Sequence, residues 1–365
     1  MWEKLPPESS LPAALGLEPF RPRAPWLNGD LQTLRDTLRP VRLPPDRGQP
    51  HRFAIGAGEQ LLGLLDPPLG AAEPLGLVLL MHGLGGSSSR SGLRRMGHTL
   101  QQAGFAVLRL NMRGAGAGRA LARGTYAANS NADLLPVLPQ LRQLAQGRPL
   151  LGMGISLGGT QLLNALLAES PEQPLLDGLV CISSPLDLQA CSRQIERPRN
   201  RVYQRWLLQR LVAQTLADPF GVSAAEQLAL QQPIRSIGAF DERITAPRWG
   251  YDSLEAYYRG ASPLPGLLQR LAQPHATGLP PTLIVHAEDD PWVPVEAARQ
   301  LLPWQTPHFA VLLTAGGGHN GFHACGDGAA SRDGGWGGCW GDQLTARWLR
   351  RLVLMHGSHH PALSV

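Results

Sequence analysis

Pro149-Leu150-Leu151-Gly152-Met153-Gly154-Ile155-Ser156-Leu157-Gly158-Gly159 is the stretch that decides the fold. An apolar run enters it, and Leu157–Ala168 leaves it with helical spacing. The spacing therefore predicts a strand, a sharp turn at Ser156 and a helix. With 42 glycines in 365 residues, a lone G-x-S-x-G is weak evidence. The strand-to-helix setting gives it weight, because a serine on so tight a turn has its Oγ lifted off the sheet. The small residues at 154 and 158 allow neighbouring backbone to approach. The helix N–H groups point to where negative charge would develop during attack on a carbonyl.

Outward from this turn the chain alternates. Leu77–Met81, Phe105–Leu110, Leu179–Ile182, Thr282–His286 and Phe309–Leu313 are short apolar runs. Helical patterns cover Ser91–Ala103, Asn131–Ala145 and about Gln343–Met355. Continuous apolar strands alternating with helices indicate a mostly parallel central sheet flanked by helices, an α/β class. The rhythm breaks over residues 186–279, which are helical patches rich in Arg, Gln, Trp and Tyr. That stretch is expected to be an inserted, mainly helical cap. Residues 51–185 and 280–356 then form the core. Residues 1–50, proline-rich and irregular, are expected to pack on it as an arm, and 357–365 to be a flexible tail. Gly316–Gly341 holds eleven glycines and is expected to be loop.

A serine hydroxyl needs a histidine to take its proton and an acid to orient that histidine. In this kind of sheet the partners follow in the order Ser, Asp or Glu, His. His319 lies just past Phe309–Leu313, in a Gly316–Gly321 loop, with His323 as its rival. Asp289 and Asp290 follow Thr282–His286, and Asp187 follows Leu179–Ile182. Asp290 is chosen because the D-P-x-V-P continuation, Asp290 to Pro294, is the usual setting of the acid in this fold. The backbone N–H groups of Leu84, in His82–Gly86, and of Leu157 are the expected oxyanion hole. His82 reads as an organiser of that turn.

Other function classes are excluded by what the chain lacks. It has no G-x-x-x-x-G-K-[ST], and Leu157 interrupts the G-x-G-x-x-G that Gly152 and Gly154 begin. The net charge is +5, yet the 33 basic residues are arginines scattered along the chain, apart from Lys4. No aromatic-interleaved basic patch points to nucleic acid. Cys181, Cys191, Cys325 and Cys339 form no C-x-x-C pair. The spacing of His319, His323, Cys325 and Cys339 matches no recurring ligand pattern, so neither a metal nor an organic cofactor is expected. Residues 1–20 have no basic-then-apolar leader layout, and a cytoplasmic location is the expectation. The arginine-rich cap stretch from Arg193 to Arg210 is compatible with peripheral contact at a membrane.

Taken together, these segments resemble the YheT-like α/β-hydrolases, which are related to eukaryotic abhydrolase-domain serine hydrolases. Trp26-Leu27-Asn28-Gly29-Asp30-Leu31-Gln32-Thr33 resembles the family's W-x-x-G-H-L-Q-T, with Asp30 where the family has histidine. His82–Ser88, Asn111–Gly114, Gly154–Gly159, Phe240-Asp241 with Thr245–Pro247, Tyr257-Tyr258, Asp289–Pro291 and Gly317–Phe322 are similar to its other motifs. The resemblance spans roughly residues 19–350. It implies the α/β-hydrolase fold and a carboxylesterase or acylglycerol-lipase-like activity on short- to medium-chain or lipid esters, hence a place in lipid metabolism. The same residues would also serve an acyltransferase. A non-catalytic binding protein on this scaffold usually lacks a triad member, and here all three are present.

Overall fold

Main-chain pairing decides the architecture. In the computed structural model, which describes residues 11–70, 73–168, 175–273, 279–328 and 338–357, eight strands share one sheet. They are β1 (Gln49–Gly56), β2 (Glu59–Asp66), β3 (Leu77–Met81), β4 (Ala106–Leu110), β5 (Leu150–Ile155), β6 (Gly178–Ile182), β7 (Thr282–Ala287) and β8 (Phe309–Thr314). Their spatial order is β1-β2-β4-β3-β5-β6-β7-β8. The β1–β2 and β2–β4 pairs are antiparallel, and all pairs from β4 to β8 are parallel.

The parallel strands read as mainly apolar runs because both their faces are covered; the exception in β4 is buried Arg109, which is paired with Asp46 and Asp66. Along β3, Leu77, Leu79 and Met81 join one core, and Val78 and Leu80 join the other. Against the first face pack Leu134, Val137, Leu138 and Leu141 of helix Asn131–Leu144 and Leu162, Leu163 and Leu166 of helix Leu157–Ala168. Helices Ser91–Gln102 and Trp340–Gly357 cover the second face with Leu93, Met96, Leu100, Leu344, Leu349 and Leu352. Each such leucine contributes about 1.5–3 kcal/mol by leaving water.

Two features differ from the sequence reading. β1 and β2 form a hairpin ahead of the first apolar strand, turning at Ala57 and Gly58 with φ of 50° and 76°. The polar, exposed alternate positions of β1 hide it from a search for continuous apolar runs. The arm is also less irregular than its prolines suggest. It contains helix Gly29–Leu38, whose N-cap Asn28 accepts a hydrogen bond from the Leu31 N–H through its side chain at 2.9 Å.

Among the described residues, five helices of eight or more residues lie between β6 and β7: Leu188–Ile195, Arg201–Leu216, Ala224–Gln231, Leu254–Ala261 and Leu264–Leu271. Ile195, Leu207, Leu208, Leu211, Ile237 and Phe240 give this layer a small core of its own. Tyr257 Oη accepts from the Ala128 N–H at 3.0 Å and Asn164 donates to the Ala261 carbonyl at 2.9 Å, which ties the layer to the sheet domain. No described helix is long and apolar enough to cross a membrane. The expected tail lies outside the described residues from 358 onward, as does 329–337 of the glycine-rich stretch.

Candidate active site

Ser156, Asp290 and His319 follow the carboxyl ends of β5, β7 and β8, the edge of a parallel sheet where ligand crevices form. Ser156 has φ of +52°, a strained conformation for a residue with a side chain. The surrounding glycines make that turn possible. A Cβ at Gly154 would lie 2.2 Å from Gly159 Cα, and one at Gly158 would lie 2.6 Å from the Met81 carbonyl oxygen. The Ser156 N–H donates to the Ile182 carbonyl at 2.9 Å, so the turn stays locked to β6.

Three side chains fall in line. Ser156 Oγ is 3.0 Å from His319 Nε2, and His319 Nδ1 is 2.9 Å from Asp290 Oδ2. All three are buried. Asp290 Oδ1 accepts from the N–H groups of Trp292 and Val293 at 2.8 and 3.0 Å. Burial works to raise its pKa. The His319 charge and hydrogen bonds outweigh it, so Asp290 is held below the usual carboxylate range. An ionised Asp290 requires the His319 proton on Nδ1, which leaves Nε2 to accept from the serine hydroxyl. The Trp292 ring stacks on the imidazole at 4.5 Å and 27°.

The neighbouring candidates have other partners. Asp289 Oδ1 accepts from the Gly318 N–H at 2.8 Å and holds the turn before His319. Asp187 caps helix Leu188–Ile195. His323 meets Asp36 at 3.3 Å and Asp327 at 3.6 Å, and its ring does not reach Ser156. Cys325 Sγ faces the Pro22 carbonyl and Cys339 lies against Arg95, so the four His and Cys residues diverge. Among the described residues no cluster fit to hold a metal ion occurs.

The His82–Gly86 loop passes directly over the serine. A Cβ at Gly83 would lie 3.0 Å from Ser156 Cβ. His82 Nδ1 donates to the Gly83 carbonyl at 2.8 Å, and its Nε2 accepts from the Met112 N–H at 3.2 Å. Burial lowers its pKa to about 4, so the ring is neutral and shapes the turn. Tyr126 Oη accepts from the Gly85 N–H at 2.6 Å, and the Gly83 carbonyl accepts from Gly86 at 3.1 Å. Leu84, between them, lines the space above the serine. Leu157, in the first turn of its helix, has an N–H without an intrahelical acceptor.

The arm supplies parts that sequence reasoning missed. Thr33 Oγ1 accepts from the His319 N–H at 2.8 Å and donates to the Gly29 carbonyl at 2.6 Å. Buried Gln32 donates to the carbonyls of Trp26 and His323 at 2.7 and 3.0 Å, and accepts from the His323 N–H at 2.8 Å. Ser183 Oγ accepts from the Asn320 N–H at 3.2 Å. The histidine loop is thus pinned on both sides. The cue was the Leu31-Gln32-Thr33 motif, whose partners lie almost 300 residues away. Asp30, the departure from the family pattern, bridges to Arg199 at 2.7 Å and to Tyr203 Oη at 3.1 Å, joining helix Gly29–Leu38 to the start of helix Arg201–Leu216.

Two cavities meet at the serine. Leu84, Ser156, Trp292 and His319 line both. One, of about 120 Å³, runs under the helices between β6 and β7, among Leu188, Ile195, Leu207, Leu211, Ile237 and Phe240. The other, of about 880 Å³, opens toward the arm and carries the charged groups Asp30, Asp36, Arg90, Arg95, Arg199 and Asp342.

The α/β hydrolase fold family matches residues 76–324. The mouse protein (Mus musculus) named phospholipase ABHD3 is 33% identical over 247 residues, which are 67% of this chain and 58% of that protein. The YheT protein of Escherichia coli (strain K12) is 33% identical over 250 residues, 67% of this chain and 70% of that one. Among solved structures, a soluble variant of the Saccharomyces cerevisiae monoglyceride lipase in complex with a substrate analog superposes with a TM-score of 0.54. That match covers 87% of this chain and 98% of the other, at 16% identity, and shows the shared fold. The chain belongs to the α/β-hydrolase family, in its YheT-like branch. It spans less than two thirds of the length of the mouse relative.

Proposed function

We propose that this chain hydrolyses carboxylic esters of short- to medium-chain acids through an acyl-enzyme. The observation that carries the reading is the 3.0 and 2.9 Å line from Ser156 through His319 to Asp290, placed where an apolar cleft meets a wide cavity. Ser156 Oγ attacks the ester carbonyl as His319 Nε2 takes its proton. The N–H groups of Leu84 and Leu157 hold the oxyanion, a term worth about 3–4 kcal/mol per donor in comparable sites. His319 then returns the proton to the departing alcohol. Water repeats the cycle and frees the acid. Asp290 keeps the imidazole in the tautomer that this requires and stabilises its charged form.

The acyl chain would occupy the narrow apolar cleft under residues 186–279, which act as the cap, and the alcohol would leave through the wide cavity. The relatives' names support this class: one is called a phospholipase, and a Saccharomyces cerevisiae relative, 26% identical over 274 residues, a monoacylglycerol lipase. Another yeast relative is named a medium-chain fatty acid ethyl ester synthase/esterase, and the wide cavity has room for an acceptor alcohol in place of water. Added alcohols that divert the acyl group from acid to new ester would identify transferase activity.

The test is a panel of p-nitrophenyl esters of increasing acyl length, with a fluorophosphonate probe alongside. Wild-type protein should cleave the shorter esters and take one label. Ser156→Ala should abolish both, and labelling or turnover that survives the substitution would refute Ser156 as nucleophile.

A further inference from the structure

Three arginines line the wide cavity: Arg90, Arg95 and Arg199. Arg95 is buried between Asp36 and Asp342, with Nε 2.5 Å from Asp342 Oδ2. Arg199 pairs with Asp30 at 2.7 Å. Arg90 has no carboxylate partner among the described residues. Its guanidinium carbon lies 5.5 Å from the centroid of the Trp206 ring. Arg210 reaches the same ring, at 4.9 Å, and it also lacks a carboxylate partner among the described residues. Its Nε donates to the Gly85 carbonyl at 3.0 Å, so the second guanidinium is anchored to the loop that crosses the serine.

Two cations on one indole, with no acid beside them, form an incomplete arrangement. Both side chains are half-buried, so water screens them less than it would on an open surface. Burial and the neighbouring Arg210 charge lower the pKa of Arg90. The face of Trp206 attracts a cation but does not neutralise the pair. An oxyanion would. A phosphate fits better than a carboxylate. Its charge of nearly two matches two guanidiniums, and its several oxygens suit the planar guanidinium fork.

We propose that Arg90 and Arg210, flanking Trp206, form a phosphate-recognition site for the alcohol portion of the ester substrate. Arg90 and Trp206 line the wide, charged cavity, while the other cavity offers an apolar cleft to the acyl chain. The proposal rests on the ester-hydrolase reading and names the substrate class for it: an ester whose alcohol carries a phosphate.

The test compares two soluble substrates, 1-butyrylglycerol 3-phosphate and 1-butyrylglycerol, in the absence of any lipid surface. The readout is the ratio of their kcat/KM values, which is insensitive to a general loss of folded protein. Wild type should favour the phosphate ester by about tenfold or more, the scale of a charge-assisted hydrogen bond. Arg90→Gln should cut that preference by about tenfold. Adding Arg210→Gln should bring the ratio near one, and Arg90→Lys should restore part of it. A wild-type ratio near one, or a ratio that Arg90→Gln leaves unchanged, overturns the proposal. So does an Arg90 effect confined to anionic vesicles, which would make the pair a surface contact. Failure of wild type to cleave either ester, or cleavage that survives Ser156→Ala, sinks the ester-hydrolase reading instead.

Discussion

Thr33→Val is the sharpest probe of how the arm serves the site. Valine keeps the shape of threonine and removes only the hydroxyl. Two hydrogen bonds go with it: the one accepted from the His319 N–H at 2.8 Å and the one donated to the Gly29 carbonyl at 2.6 Å. Leaving a part-buried N–H without an acceptor costs about 1–3 kcal/mol. If that cost appears as displacement of His319 from its 3.0 Å contact with Ser156, kcat/KM falls about 5- to 150-fold, at 1.36 kcal/mol per decade. The loss should appear in kcat and in the rate of fluorophosphonate labelling, because both need an aligned base. Thr33→Ser should recover most of it. The assay is p-nitrophenyl ester turnover normalised to labelled sites, paired with a thermal melt. A variant with a lowered Tm and an unchanged kcat per labelled site would refute a positioning role and leave Thr33 as a structural tether.

Three other outcomes follow from the geometry. Asp290→Asn should lose about 10²-fold or more in kcat, and Asp289→Asn far less, since only the former faces His319 Nδ1; equal losses in steady-state kinetics would refute the division of labour. Asp241 lines the apolar cleft, and burial pushes its pKa up to about 6 from 3.8. The folded state therefore binds that proton more tightly than the unfolded chain, and the group's contribution to stability falls as pH rises from about 4 through 6. Asp241→Asn keeps an acceptor for Tyr258 Oη and should melt higher than wild type at pH 8 and about equally at pH 4. Finally, Arg197, Arg201 and Arg205 are exposed beside Val202 and Trp206, themselves 80% and 39% exposed. Neutralising all three should weaken hydrolysis on anionic-lipid vesicles and spare a small soluble ester. Vesicle activity that is unchanged and insensitive to salt would return them to a solvated surface.

The parts of this fold that were legible in the sequence are those whose signal is local. β3, β5, β6, β7 and β8 are buried on both faces, so each appears as a short apolar run. Ser156, Asp290 and His319 each follow such a run. The break in rhythm after β6 marks the helical insertion. The hairpin of β1 and β2 was hidden because its edge strand alternates polar and apolar residues. The roles of Gln32 and Thr33 were hidden for another reason. Their partners, His319 and His323, lie at the far end of the chain, and no spacing within the motif points there. The separate duties of Asp289 and Asp290 also depend on the direction of a turn, which adjacent identical residues cannot announce.

The tether between Thr33 and His319 spans 286 residues, and that between Gln32 and His323 spans 291. Ser156 lies between them in the chain. On the ribosome, the serine, its glycine turn and the first strands of the sheet emerge long before β8 and the histidine loop exist. Domains begin to fold as they are made, at about 5–20 residues per second. For many seconds, therefore, a nascent chain carries the serine with no base to activate it and an arm with nothing to hold. On the proposed mechanism, activity arrives with the last part of the sheet, when the earliest and latest segments meet. A ribosome that stalls before residue 319 leaves a fragment without a histidine beside its serine, and on that mechanism an incomplete copy is silent.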